Sequence, residues 1–343
     1  MRRGVSGVGR LAAALFLTAG LLATTAHADA ISADEPFGNP VQTYTKTIDR
    51  FGIGSNRTRF GALEFVGGLE VTSDSSAFGG MSSIRLGADR LSFIGIEDTG
   101  HWYSGTFIRH DGRLAGISDF RIAPIRGRNG EPLGTKWESD AESIAVRGDG
   151  VLVGFERDHR IDLYPLNDPQ ASGPIQTIPL PFPKRELRTN RSLETVAVSP
   201  KDSPLHGATV TVAEMSINKA GDLYAGILDG PMRGAFFVHR DPPYGVSDGA
   251  FLPNGDLLLL ERSLTLSLGF GIRIVRIDGN AIRPGATVQG KVIFQAGLGD
   301  QIDNLEGLSV NRGEDGGIYL LLVSDDNNSL LQRNLFLEFR LAQ

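Results

Sequence analysis

Four times, and a fifth time more loosely, the chain repeats one unit: a short apolar run led by an acid, a polar turn, and a second apolar run followed by an acid. The last copy runs Asp303-Asn304-Leu305-Glu306-Gly307-Leu308-Ser309-Val310, then a Gly-containing turn, then Ile318 to Val323 and Ser324-Asp325-Asp326-Asn327-Asn328. Earlier copies are Ser247-Asp248 to Leu252 with Leu257 to Leu260 and Glu261-Arg262, Leu193-Glu194 to Val198 with Ala208 to Ala213 and Glu214, and Asp140-Ala141-Glu142 to Val146 with Val151 to Phe155 and Glu156-Arg157. The first copy, Gly79 to Ile84 and Leu91 to Ile96 with Glu97-Asp98, has Met81 where the leading acid is expected. In an antiparallel hairpin the start of one strand lies beside the end of its partner, so the leading and trailing acids of each unit fall on one sheet edge.

Glu142, Glu194, Asp248 and Glu306 stand 52, 54 and 58 residues apart, and Asp98, Glu156, Glu214, Glu261 and Asp325 stand 58, 58, 47 and 64 apart. A period near 50 residues built from short strands is the mark of a β-propeller with one blade per repeat. Five repeats plus N-terminal strands predict a single-domain, all-β, six-bladed propeller over residues 59–343, with residues 29–58 as a partly irregular extension. Phe60 to Val71 and Asn334 to Leu341 both read as strands, and pairing them in the last blade would close the ring and remove exposed sheet edges. A chain of 343 residues could hold two average domains, but no linker or low-complexity stretch divides it. Forty-four Gly, seventeen Pro and no long amphipathic pattern predict less than about a tenth helix, against the usual third.

Residues 1–28 read as a signal peptide: Arg2, Arg3 and Arg10, an apolar stretch from Leu11 to Ala23, and a small-x-small site at Ala26-His27-Ala28. That stretch is shorter than the roughly 20 residues of a membrane span, so the expectation is a periplasmic or secreted monomer with no membrane span. Without this segment the chain has 31 basic and 40 acidic residues, a net charge of −9, which disfavours nucleic acid and anionic lipid as partners. With no cysteine there is no disulfide framework, thiol nucleophile or thiolate metal site.

The acids expected at the mouth are Asp98, Glu142, Glu156, Glu194, Glu214, Asp248, Glu261, Asp303, Glu306, Asp325 and Asp326. So many converging carboxylates repel one another unless cations or protons relieve them. Oxygen-only ligands suit Ca²⁺ or another hard divalent cation, and Glu142, Glu194, Asp248, Glu261, Glu306 and Asp325 are its candidate ligands, although each could instead cap a strand or pair with an arginine such as Arg157 or Arg262. Glu306, Asp325 and Asp326 are the catalytic candidates. A Pro-rich loop ends in Lys184, Arg185, Arg188 and Arg191 just before Glu194. These cations either form a solvated face or hold a small anionic substrate such as a phosphate ester.

Other motifs fail on context. Gly245-Val246-Ser247-Asp248-Gly249 matches a nucleophile elbow, but a strand and not a helix follows it. Asp98-Thr99-Gly100 lacks a second triplet, and Asp111 breaks the acid phosphatase spacing of Arg109-His110-Asp111-Gly112-Arg113. His101, His110, His159, His206 and His239 are scattered without metal-ligand spacing.

The runs Asp140-x-Glu142-Ser-Ile-Ala, Leu193-Glu194-Thr-Val-Ala-Val-Ser-Pro, Ser247-Asp248 to Glu261-Arg262, and above all Asp303-Asn304-Leu-Glu306-Gly307-Leu with Ser324-Asp325-Asp326-Asn327 and Gln332-Arg333, resemble the bacterial phytase-like proteins described as having esterase-like activity. The resemblance covers about residues 60–341. It implies a secreted propeller with phosphoester or ester hydrolase activity, and the first expectation is a divalent-cation-dependent phosphoesterase. The alternatives are a non-catalytic propeller that binds a ligand or protein in the envelope, and a calcium-dependent lactonase.

Overall fold

The computed structural model describes residues 38–342, except 149, 266–268, 328 and 330. The proposed signal peptide lies outside these residues. The fold is all-β: helix among the described residues is limited to Lys136–Ser139 and two single 3-10 turns. No helix among them is long and apolar enough to cross a membrane.

The strands form five mainly antiparallel sheets, each one blade. Their innermost strands, in chain order, are Met81–Leu86, Ala141–Arg147, Thr195–Val198, Gly245–Phe251 and Asn304–Arg312. Each packs against the next, and the fifth packs against the first, which arranges the blades around an axis. The second strands are Ser92–Glu97, Gly150–Phe155, Thr209–Ile217, Leu257–Thr265 and Ile318–Asp325. Lying between two neighbouring sheets, such strands bury both faces, which explains why Gly150–Phe155 reads as an unbroken buried run and not as an alternation. At Gly307 the approach between blades is so close that a Cβ would stand 2.5 Å from Val323 Cγ1 and 3.1 Å from the Cα of Ser83 in the first blade.

The blade count is five, not the expected six. The N-terminal strands extend existing sheets instead of building one. Asn39–Pro40 pairs with the outer strand Arg113–Pro124 of the first blade, while Tyr44–Ile48 and Leu63–Thr72 join the fifth. In the fifth blade Leu63–Thr72 lies between Tyr44–Ile48 and Asn334–Leu341, with Leu69 opposite Phe336. Phe51, Phe65, Phe294 and Phe339 fill the seam between the fourth and fifth blades, with Phe51 edge-on to Phe339 at 5.0 Å between ring centres. Deleting Asn334–Leu341 would unpair the facing edges of Leu63–Thr72 and Ile318–Asp325 and remove the buried side chains of Leu335, Phe336, Leu337 and Phe339, uncovering the core residues packed against them. The truncated chain should therefore aggregate. A soluble truncation with an unchanged melting temperature would contradict this.

One buried ion pair ties the inner strands together. The Arg85 guanidinium donates to both oxygens of Asp248, with Nη1 to Oδ2 at 2.9 Å and Nη2 to Oδ1 at 3.1 Å. It also donates to the carbonyls of Ile84, Val196, Gly249 and Leu308, which belong to four of the five inner strands. The Asp248 carboxylate additionally accepts from Ser83 Oγ and from the backbone N–H groups of Gly249 and Leu308.

Candidate functional site

Strand register, more than acid spacing, decides which side chains reach the mouth. In the first, second, fourth and fifth blades one residue of the inner strand is skipped by the ladder: Ser82 between Met81 and Ser83, Glu142 between Ala141 and Ser143, Ser247 between Val246 and Asp248, and Glu306 between Leu305 and Gly307. A bulge re-aims the extra side chain. In the third blade Glu194 holds the corresponding place, just before the ladder begins at Thr195. The trailing positions align in the same way. The N–H groups of Asp98, Glu156 and Glu214 donate to the carbonyls of Gly80, Asp140 and Ser192, and the matching pairs in the last two blades are Gly245 with Arg262 and Asn304 with Asp325. The mouth therefore takes Ser82, Glu142, Glu194, Ser247 and Glu306 from the bulges, and Asp98, Glu156, Glu214, Arg262 and Asp325 from the trailing positions.

This register separates two of the expected ligands from the rest. Asp248 is one residue past its bulge and faces the Arg85 pair. Glu261 is one residue before the trailing position and pairs instead with Arg273, which also binds Asp241. A one-residue offset turns a strand side chain to the opposite face. The fourth blade thus contributes a serine at its bulge, as the first does with Ser82, and an arginine at the trailing position where the other blades have an acid.

Arg262 is the internal countercharge of the cluster. Its Nη1 lies 2.5 Å from Glu306 Oε1 and 2.5 Å from Asn304 Oδ1, and its Nη2 is 4.0 Å from Glu214 Oε1. Lys136 relieves another part of the ring by joining Asp98 at 2.7 Å to Asp140 at 2.6 Å, and Arg157 Nε adds a second contact to Asp140 at 2.5 Å. Two groups of three carboxylates can each bring one oxygen apiece to within 4.8 Å of the others: Asp140, Glu142 and Glu156, and Glu156, Glu194 and Glu214. In the first group Asp140 is already engaged by two cations. In the second, Glu214 is only 5% exposed and its Oε2 is buried without a hydrogen-bond partner.

Burial raises the proton affinity of these acids, and their mutual repulsion adds to it. Desolvation pushes Glu214 up to about 7 and Asp325 up to about 8, the latter with further repulsion from Glu306, Asp98 and Asp326. Glu142, Glu156, Glu194 and Glu306 are raised for the same primary reason, and burial lifts neighbouring Glu97 to about 9. A buried set of oxygen donors that resists ionisation and leaves one oxygen unpartnered fits a hard divalent cation, which would supply the missing charge.

A cavity of about 580 Å³ opens over this cluster, and Glu214, Arg262, Asn304 and Arg191 are among its lining residues. Of the four basic candidates Lys184, Arg185, Arg188 and Arg191, only Arg191 lines it. Lys184 and Arg185 lie in a 3-10 turn, where Arg185 Nε sits 3.4 Å from Glu186, and Arg188 is fixed through its backbone N–H to Ser216 Oγ. Arg191 adopts a left-handed backbone with φ of 73°. The next residue, Ser192, holds that conformation: its N–H donates to the Glu156 carboxylate, and its Oγ lies 2.9 Å from His159 Nδ1. Asp326 accepts from Asn334 Nδ2 at 2.8 Å, and Asp303 accepts from the Arg333 N–H at 3.1 Å. Ser247 is fully buried, donates to the Leu305 carbonyl at 3.0 Å and is not among the residues lining the cavity.

The spacing of the repeats reveals Glu156 and Glu214 as mouth acids but not their pairing with Glu194 around one point. Lys136 is missed as a countercharge, and Arg262, expected as a pairing partner within its own blade, binds Glu306 of the fifth blade instead. The signal for Arg262 is its place two residues after the last Val, Leu or Ile of the apolar run, the place held by Asp98 after Ile96 and by Glu214 after Val212.

A family model described as "Phytase-like: Esterase-like activity of phytase" matches residues 76–328. No curated protein matches the chain. Among solved structures, "Structure of U3-55K" aligns at 10% identity with a TM-score of 0.39, covering 78% of this chain and 96% of that one. "Crystal structure of RRP9 WD40 repeats" aligns at 9% identity with a TM-score of 0.40, covering 83% and 100%.

Proposed function

The chain belongs to the phytase-like family, described by its esterase-like activity, and from that membership we propose that it hydrolyses phosphate monoesters at the acidic mouth with a divalent cation held by Glu156, Glu194 and Glu214. The observation that carries this reading is the unpartnered, buried oxygen of Glu214, the member of a three-carboxylate group that lines the cavity. Glu156, Glu194 and Glu214 would hold a hard cation such as Ca²⁺, and the chemistry supplied there would be polarisation of a phosphoryl oxygen and a lowered water pKa.

The remaining roles fall to the chain's own side chains. Arg191 and Arg262 present guanidinium groups to an anionic head, a role for which the planar donor fork is suited. Glu306 and Asn304 hold Arg262 in place, and Ser192 with His159 holds the backbone of Arg191. In the net reaction a water oxygen bonds to phosphorus, the P–O bond to the alcohol breaks, and a proton from water leaves with the alcohol. Glu306 and Asp325 are the carboxyl groups assigned to that proton. Export to the periplasm or medium, inferred from residues 1–28, completes the proposal, since Ca²⁺ is abundant outside the cytosol.

Glu214→Gln keeps the shape of the side chain and removes its charge. It should abolish the Ca²⁺-induced rise in melting temperature and cut hydrolysis of p-nitrophenyl phosphate by at least the roughly 10- to 100-fold that changes around a metal site cost. Ser247→Ala should leave both readouts unchanged. The proposal fails if Ser247→Ala abolishes turnover while Glu214→Gln retains it, because a serine nucleophile would then be at work.

A further inference from the structure

The cavity that receives Arg191 and Arg262 has a mixed lining. Its apolar residues are Met215, Pro243, Leu264, Phe270 and Leu331. Leu264 is 70% exposed and Leu331 93% exposed, so both present apolar surface to solvent beside a charged floor. The two guanidinium groups are also the cations of the lining, and Arg262 is already committed to Glu306 and Glu214. Behind them lie the buried carboxylates. Such a floor accommodates one compact anionic group, whereas a densely phosphorylated molecule would bring many negative charges against carboxylates with few cations to receive them.

We propose that the substrate is a phosphate monoester with a single anionic head and an apolar alkyl or aryl body, the head lying between Arg191 and Arg262 and the body against Leu264, Phe270 and Leu331. The inference rests on the hydrolase reading for its chemistry, but the apolar wall and the pair of cations are independent of whether turnover occurs. A cavity of about 580 Å³ is in the usual range for a small-molecule site, typically lined by apolar side chains with a few polar groups that fix orientation. Transfer of each methylene from water to an apolar surface contributes about 0.8 kcal/mol, which is close to fourfold in affinity.

The test uses n-alkyl phosphates from ethyl to octyl, with inositol hexakisphosphate as the polyanionic contrast and the matching alkylphosphonates as non-hydrolysable binders. In the presence of Ca²⁺, kcat/KM should rise about three- to fourfold per methylene until the wall is filled, and inositol hexakisphosphate should be turned over at least about tenfold less efficiently than octyl phosphate. The double variant Leu264→Ser, Leu331→Ser should flatten the chain-length slope, lowering octyl phosphate turnover much more than ethyl phosphate turnover, whereas a folding defect would lower both alike. If no phosphate ester is hydrolysed but alkylphosphonate binding tightens with chain length, the hydrolase reading fails and the apolar-body inference stands. If esters are hydrolysed with a flat slope, or inositol hexakisphosphate is preferred, the inference falls and the hydrolase reading stands. If the phosphonates do not bind and no ester is turned over, both fall.

Discussion

An Arg85→Met variant should be less stable by about 3–5 kcal/mol, the loss expected when one partner of a buried ion pair is removed and the other is left uncompensated. Asp248 is fully buried, and four carbonyls from four inner strands would lose the same donor together. For a chain of this length the melting temperature should drop by about 5–8 °C. The double variant Arg85→Met, Asp248→Leu should recover part of that loss, since no isolated charge remains, and the coupling between the two sites should exceed about 1 kcal/mol. The response to Ca²⁺ should be unaffected, because Asp248 faces away from the mouth. Urea unfolding of the three proteins decides the matter: a single Arg85→Met variant within about 1 kcal/mol of the parent would show that the axial pair does not hold the blades together.

The second large effect concerns pH. Glu214, Asp325 and Glu97 have folded-state proton affinities raised to about 7, 8 and 9 by burial, against 4.5, 3.8 and 4.5 for the exposed groups. The folded protein therefore binds more protons than the unfolded chain between roughly pH 4 and pH 9, and stability falls as pH rises through that window. Glu214 alone corresponds to a loss on the order of 3 kcal/mol. With a chelator present, the melting temperature should fall by at least about 5 °C between pH 5 and pH 9. Millimolar Ca²⁺ should offset part of this fall at high pH and little of it at pH 5, where protons already neutralise the acids. A ligand at 100 times its Kd stabilises by about 2.7 kcal/mol, enough to see by calorimetry. A melting temperature that rises from pH 5 to pH 9 in chelator, or one that Ca²⁺ shifts equally at both ends, would count against a buried carboxylate cluster that a cation neutralises.

The apolar runs and their polar turns made the hairpins legible, because a strand packed between two sheets needs nearly every residue apolar. The convergence of Glu142, Glu194, Glu306, Glu156, Glu214 and Asp325 on one face follows from the hairpin geometry alone. The errors in the fourth repeat have a specific cause. A bulge adds one residue to a strand without a reliable mark in the sequence, so matching Asp248 to Glu142 and Glu261 to Glu156 was off by one in each strand. Once the register is known, Ser247 and Arg262 take those places, and the apparent acidic ring becomes an acidic arc with a basic side. The blade count was misread for a different reason. Tyr44–Ile48 and Leu63–Thr72 have ordinary strand patterns, and nothing local tells whether such strands start a sheet or join one formed by residues near the other end.

That last pairing has a kinetic consequence. Leu69 lies opposite Phe336, 267 positions later in the chain, and contacts so distant are formed late because loop-closure entropy is lost before the contact compensates for it. The first four blades are local in sequence and can form their hairpins as soon as their own residues are available. The fifth cannot be completed until its final strand arrives, and until then Leu63–Thr72 has a hydrogen-bonding edge with no partner. Refolding should thus show a slow phase reported by probes near Phe336 and Leu69 after the other blades have acquired their strand signal. Between those two events the population most prone to associate with other chains is one with four finished blades and one open edge.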